Sequence, residues 1–183
     1  MTTMRNTKPH IIQIVGYKNT GKTTLTAALI RHFSSLRLKV AAIKHDGHDH
    51  FEMDQEGTDS YRFGEAGASA VVIMSEKRTA IMERQATKLE DMLSYLSGYD
   101  WIVVEGFKDA SYPKFVMVRE EKDLTLVNQL KGVVGIISWL PSEQFIERST
   151  VSRDTWYSVH ETEDIAKALL AMVESECRQN GKV

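Results

Sequence analysis

Short, continuous apolar runs alternate along this chain with longer segments whose apolar residues recur every three or four positions. The first pattern is what a strand buried on both faces requires; the second is one side of an amphipathic helix. Residues 10–15 (HIIQIV), 40–44 (VAAIK), 101–105 (WIVVE), 114–119 (KFVMVR) and 133–138 (VVGIIS) predict buried strands, and 156–159 a short edge strand. Residues 23–36 read as a helix with Leu25, Ala28, Leu29, Phe33 and Leu36 on one side. A last helix carries Ile165, Ala168, Leu169, Met172 and Val173. Residues 60–66 predict a short helix capped by Asp59, and Thr87-x-x-Glu90 reads as a capping box ahead of Leu89, Met92, Leu93 and Leu96. Residues 70–74 and 78–82 flank Ser75-Glu76-Lys77 as a hairpin, with Met74 and Met82 candidates for packing between subunits. The alternation predicts an α/β fold, a mostly parallel sheet flanked by helices with a β-hairpin insertion near 70–82. No repeat or linker interrupts it, so residues 1–183 are expected to form one domain with 177–183 a frayed tail.

The junction of the first strand and first helix carries the chemistry. GYKNTGKT fills the pattern G-x-x-x-x-G-K-[ST], which makes the fold P-loop NTPase-like. Gly16 and Gly21 permit backbone conformations that a side chain would block. The amides of Tyr17, Lys18, Asn19, Thr20 and Gly21 then turn inward around phosphate oxygens. Lys22 supplies a mobile positive charge for the β and γ phosphates, Thr23 a hydroxyl for Mg²⁺, and Thr24 continues the loop into the helix. The positive end of that helix dipole favours the same anion. A second acidic group is needed at the end of a neighbouring strand to hold the metal or its waters. Glu105, closing WIVVE before Gly106, fits that place, with Lys22 and Glu105 the candidate catalytic pair. Asp100 opens the same run and is expected at the far end of the strand.

Composition narrows the setting. The net charge is −2 and the pI about 6.3, so no global basic field favours nucleic acid. Cys177 is the sole cysteine, which rules out an internal disulfide and suits a reducing compartment. No run approaches the about 20 apolar residues that span a membrane, and residues 1–10 lack a secretory pattern. A cytoplasmic protein with no membrane partner is the expectation.

Further motifs narrow the type of nucleotide protein. Lys44-His45-Asp46 closes the second strand, D-x-x-G-x-D-S and AGA fall within residues 53–68, and VEGFK follows at 104–108. Together with GYKNTGKTTL and Pro113-Lys114, these closely resemble the family of molybdopterin-guanine dinucleotide biosynthesis protein B, MobB, from about residue 11 to 138. The resemblance implies a homodimeric GTP-binding protein with weak intrinsic hydrolysis. It would assist a nucleotidyltransferase, MobA, that joins a GMP unit to molybdopterin to form the guanine dinucleotide cofactor. By the matching positions, residues 16–23 would bind the phosphates of GTP, Thr23 and Glu105 would serve Mg²⁺, and Asp54 and Asp59 are further metal or γ-phosphate candidates. The chain departs from the pattern at Ser138-Trp139, where relatives tend to carry Ser-Asp. An aspartate there can accept hydrogen bonds from guanine, whereas a tryptophan can only stack, and no N-K-x-D signature occurs.

Other clusters keep more than one reading. HDGHDH at residues 45–50 suits a transition metal, a phosphate or pterin contact, or a solvated loop, with His45 nearest the strand end. Lys44, His45, Arg62, Lys108 and Lys114 are candidate pterin or phosphate contacts, or ordinary surface cations. His10, His32 and His160 are isolated, and Trp101, Phe115 and Phe145 read as core or interface. The rivals to an accessory GTPase are a small-molecule kinase or ATP-dependent ligase, which needs an arginine lid that does not stand out, and a metallochaperone GTPase, which rests on the histidine loop alone.

Overall fold

The structure, a computed structural model, describes residues 8–47, 51–141 and 155–180, with side chains through residue 171. Expectations for His48, Asp49, His50 and Phe145, for the side chains of Met172, Val173 and Cys177, and for residues 181–183 lie outside the described residues. The elements run β1 (His10–Gly16), α1 (Lys22–Ser35), β2 (Val40–Lys44), α2 (Asp59–Glu65), β3 (Ala70–Met74), β4 (Thr79–Glu83) and α3 (Leu89–Tyr95). They continue with β5 (Trp101–Glu105), β6 (Lys114–Val118), α4 (Leu124–Gln129), β7 (Val133–Ser138), β8 (Trp156–Ser158) and α5 (Thr162–Asn180). Two units emerge, Met1–His45 with Tyr95–Val183, and Asp46–Ser94.

The first unit is a six-stranded sheet in the order β2-β5-β1-β6-β7-β8, with every pairing parallel. β1 lies in the middle, which explains its composition: a strand paired on both edges and covered on both faces has no solvated side for alternating polar residues. The short run at 156–158 is an edge, as its length and position suggest. On one face α1 contributes Leu25, Leu29 and Phe33, and α5 contributes Ile165, Ala166 and Leu169, against Ile12, Ile14 and Val103. Phe33 stacks on Trp101 with ring centroids 4.5 Å apart. On the other face Val15, Val116, Val118 and Ile136 pack with Leu124, Leu126 and Val127. β7 admits a glycine among its valines and isoleucines because a Cβ on Gly135 would collide with the Phe115 ring and come 2.8 Å from the Thr155 carbonyl.

The strand order matters for function. β1 is followed in the chain by β2, yet its sheet neighbours are β5 and β6. The chain therefore leaves β1 in one direction and returns on the other, and the crevice at the carboxyl ends of such strands is where open α/β sheets bind ligands. Asp100 sits at the opposite end of β5, where its carboxylate accepts from the Lys39 amide at 2.7 Å.

The second unit holds the hairpin, in which β3 and β4 pair antiparallel with Val72 opposite Ile81 and Met74 opposite Thr79. Three local expectations change here. β4 begins at Thr79, one residue late, because the Ser75 amide donates to the Arg78 carbonyl and draws Arg78 into the turn. α2 is capped by Thr58, whose hydroxyl accepts from the Tyr61 amide at 3.2 Å, so Asp59 is the first helical residue and not the cap. α3 begins at Leu89 with its first turn closed from Met92 to the Lys88 carbonyl, which moves the cap off Thr87. In the first unit α4 was not expected: it is six residues long, too short for a helical period to declare itself.

Candidate functional site

Five residues separate β1 from α1, and their backbone is unusual. Asn19 and Gly21 have φ of 63° and 97°, in the left-handed region. A Cβ on Gly16 would lie 2.9 Å from Thr20 Oγ1 and 3.0 Å from both Cβ and the carbonyl oxygen of Met117, so nothing larger than glycine fits where the loop leaves the strand. Thr20 Oγ1 donates to the Tyr17 carbonyl at 2.9 Å and ties the loop to itself. α1 starts with no side-chain cap and no acidic residue in its first turn. Its leading N–H groups and its positive dipole end are therefore uncapped by any side chain of the helix's own first turn and suited to an anion.

Lys22 reaches back over the loop, its ammonium donating to the Tyr17 carbonyl at 2.6 Å. Its pKa lies below the usual lysine value, chiefly through burial, with Glu105 opposing the shift and Lys108 and Lys44 adding to it. One turn into the site, Thr23 Oγ1 donates to Glu105 Oε1 at 3.0 Å. Glu105 ends β5 opposite Ile14 of β1 and is 7% exposed, with the Lys44 ammonium 3.9 Å from the same oxygen. A hydroxyl and a carboxylate in contact at the phosphate end of the loop form an all-oxygen donor set, which suits a hard cation such as Mg²⁺. The residues present fit both a polyphosphate and that metal.

The segment after Glu105 is held by two buried polar side chains. Gln13 Nε2 donates to the carbonyls of Gly106 at 3.1 Å and Phe107 at 2.8 Å. Lys114, 1% exposed, donates to the carbonyls of Lys108, at 3.1 Å, and Ala110. Burial depresses its pKa, with Asp109 opposing. Phe107 has φ of 53°, a conformation costly for a bulky residue and kept only where neighbours enforce it. The His45 ring packs on it at 4.4 Å, and a Cβ on Gly106 would come 2.8 Å from that of His45. The result sets the Lys108 ammonium 4.5 Å from the centre of the Tyr17 ring, beside the phosphate loop. Lys114, expected among the exposed anion contacts, is instead an internal strut, because its place on β6 aims it at the carbonyls of this segment.

On the far side of the loop, Arg119 Nη1 donates to the Asn19 carbonyl at 2.7 Å, and Trp139 Nε1 donates to the Thr20 carbonyl at 2.9 Å. These two side chains and Asn19 line, with residues 21–24, a cavity of about 330 Å³. Gln13 and Arg119 were not singled out from the sequence. The signal for Gln13 was its place as the polar residue inside HIIQIV; that for Arg119 was its position at the end of the strand beside β1.

The remaining candidates are placed as follows. Lys18 is exposed on the loop. In the second unit, Asp54 Oδ1 accepts from Thr58 Oγ1, Ser60 Oγ and the Gln55 amide at 2.8–3.0 Å. Desolvation would raise its pKa, but these hydrogen bonds prevail and the net shift is downward. Asp59 and Arg62 are exposed and 3.8 Å apart. Among the described residues no three of His, Cys, Asp and Glu gather as a metal site.

Known proteins share this architecture. A family model described as molybdopterin guanine dinucleotide synthesis protein B matches residues 11–139. A Haemophilus influenzae molybdopterin-guanine dinucleotide biosynthesis adapter protein is 34% identical over 146 residues, covering 76% of this chain and 80% of that protein. A putative adapter protein of the same description from Methanocaldococcus jannaschii is 37% identical over 130 residues. That alignment covers 68% of this chain and 53% of the relative, so this chain spans about half the length of that protein. The crystal structure of Bacillus subtilis MobB superposes with a TM-score of 0.73 at 27% identity, covering 88% of this chain and 96% of that one. A family match over more than two thirds of the chain, joined to the same fold and an intact phosphate loop, means that this chain belongs to the MobB family of molybdopterin guanine dinucleotide synthesis proteins.

Proposed function

We propose that the chain is a GTP-binding adapter in molybdenum cofactor biosynthesis, assisting a MobA-type nucleotidyltransferase in attaching GMP to molybdopterin. The observation that carries the nucleotide part is the loop between β1 and α1. Two left-handed residues, a glycine that admits no side chain, and an uncapped helix start face Lys22 and the Thr23–Glu105 pair. Backbone amides of the loop bind the phosphates, and Lys22 adds a charge that exchanges its carbonyl partner for a phosphate oxygen. Thr23 and Glu105 hold Mg²⁺, which supplies neutralisation of phosphate charge. Catalysis resting on charge and position alone predicts slow turnover by the isolated protein. The adapter role is supported by the names of the curated relatives.

A homodimer is part of this reading. Val72, Met74 and Ile81 share one face of the hairpin and are 46–81% exposed along with Phe51, Met53, Phe63 and Ile73 of the same unit. A face of that kind is suited to burial against a second subunit. Calorimetric titration of GTP with Mg²⁺ tests the nucleotide part. Lys22→Ala is expected to weaken binding by about 2–4 kcal/mol, the scale of lost charge-assisted contacts. An unchanged affinity would remove the reading.

A further inference from the structure

We infer that Lys108 is the residue by which this site tells a nucleoside triphosphate from a diphosphate, its ammonium held ready for the terminal phosphate by two buried positioning residues, Gln13 and Lys114. The inference rests on the phosphate reading of residues 16–23 and adds to it a contact that the loop pattern does not contain. Lys22, the lysine of the pattern, serves the β and γ phosphates, and its ammonium rests on the Tyr17 carbonyl. Tyr17 therefore marks the γ end of the cradle. The Lys108 ammonium lies over the ring of that same residue, 4.5 Å from its centre. Burial is the first cause of the depressed Lys22 pKa and Glu105 opposes it, but the charges of Lys108 and Lys44 add to it, so three ammonium groups act on one space. Lys44 is already paired with Glu105, 3.9 Å away. Among the described residues Lys108 has no carboxylate partner, and a cation resting on an exposed ring is weakly held. A phosphate oxygen is the stronger partner.

The backbone course of residues 106–110 keeps the ammonium there. Gln13 and Lys114 face each other across β1 and β6, and both are buried. Gln13 Nε2 donates to the carbonyls of Gly106 and Phe107, and Lys114 Nζ to those of Lys108 and Ala110, so four carbonyls bracket the Lys108 backbone. This hold is costly. Gln13 Oε1 is buried with no hydrogen-bond partner among the described residues, and Lys114 carries its charge into the fold at 1% exposure. Phe107, immediately before Lys108, has φ of 53° with the His45 ring packed on it at 4.4 Å. A course of that kind persists only where its surroundings enforce it. A general surface cation calls for no such fixing; a cation aimed at one phosphate does.

The experiment titrates the full chain with GTP and with GDP, each with Mg²⁺. Lys108→Ala is expected to weaken GTP by about tenfold and leave GDP within about twofold, the scale of one lost charge-assisted contact. Lys108→Arg, which keeps the charge, should hold GTP within about threefold of wild type. Gln13→Leu, an apolar residue in an apolar strand, should copy the Lys108→Ala pattern with a loss of about threefold to fivefold on GTP alone. Combined with Lys108→Ala it should add less than about twofold, because both changes remove the same contact. Should Gln13→Leu fail to fold, Lys114→Met is read in the same way. Equal loss of GTP and GDP in Lys108→Ala, or loss of neither, would overturn the inference. Full additivity in the double variant would overturn the positioning role, since Gln13 would then steady the site by another route. In each case Lys22→Ala still weakens GTP if the phosphate reading holds; only its failure to do so would remove that reading as well.

Discussion

The two units of this chain treat their apolar residues in opposite ways. In the sheet unit Ile12, Ile14, Val103, Phe115 and Ile137 are at most 1% exposed, and three of the polar residues buried there, Gln13, Glu105 and Lys114, bond either Thr23 or the segment that follows Glu105. In the unit Asp46–Ser94 Val71, Leu89 and Leu93 are buried, while Phe63, Val72, Met74 and Ile81 stay more than half exposed. The first unit has a core sufficient to fix a rigid site. The second keeps apolar surface outward and so is suited to gain stability from contact with another chain.

The sharpest way to break this comparison is to cut the same kind of residue in both units. Phe115→Ala removes a ring packed edge-on to Tyr157 at 5.9 Å and should cost about 3–5 kcal/mol in chemical denaturation. A smaller loss would mean that the sheet core is less tightly packed than its burial implies. The next effect belongs to the site itself. Glu105→Gln should remove about 1–3 kcal/mol of triphosphate affinity in Mg²⁺ and leave affinity in chelator unchanged, a contrast that separates metal holding from loop support.

The pH response should be gentler. Lys22 is shifted below 10.5, first by burial, and only its ammonium form attracts a polyphosphate. Affinity is therefore full below that depressed pKa and falls as pH rises through it. Titrations between about pH 7 and 10 should show the decline beginning below the ordinary lysine range, and Lys22→Ala should lack it. The smallest effect on stability is expected at Ile81→Ser, within about 0.5 kcal/mol for the folded chain, yet sedimentation should report weaker self-association. A monomeric wild type would remove the dimer from the account.

Much of the sheet unit was legible because its signals are local. A run such as WIVVE declares a buried strand by composition, and GYKNTGKT points to a phosphate ligand because a loop of that pattern offers its own amides rather than distant side chains. Even Glu105 was within reach, since a carboxylate after four apolar residues must sit at a strand end. What escaped depends on residues far apart in the chain. Gln13 bonds carbonyls more than ninety positions away, and Arg119 bonds Asn19 a hundred positions away. Lys114 read as an anion contact or a surface cation because, although KFVMVR declares a buried strand, nothing local says that its first side chain turns onto the carbonyls of Lys108 and Ala110. Thr58 and Asp59 are both good caps by residue type, and only the backbone course into α2 chose between them. α4 holds Leu124, Leu126 and Val127 against the sheet, a contact made by packing rather than by periodicity.

The loop between β1 and α1 is tested most directly by a crystal structure of the protein with Mg²⁺ and a non-hydrolysable GTP analogue. The account predicts phosphate oxygens within hydrogen-bonding distance of the amides of residues 19–23, the Lys22 ammonium turned from the Tyr17 carbonyl onto a phosphate, and Mg²⁺ beside Thr23 and Glu105. A nucleotide bound elsewhere, with Lys22 still on Tyr17 and Thr23 still on Glu105, would contradict it.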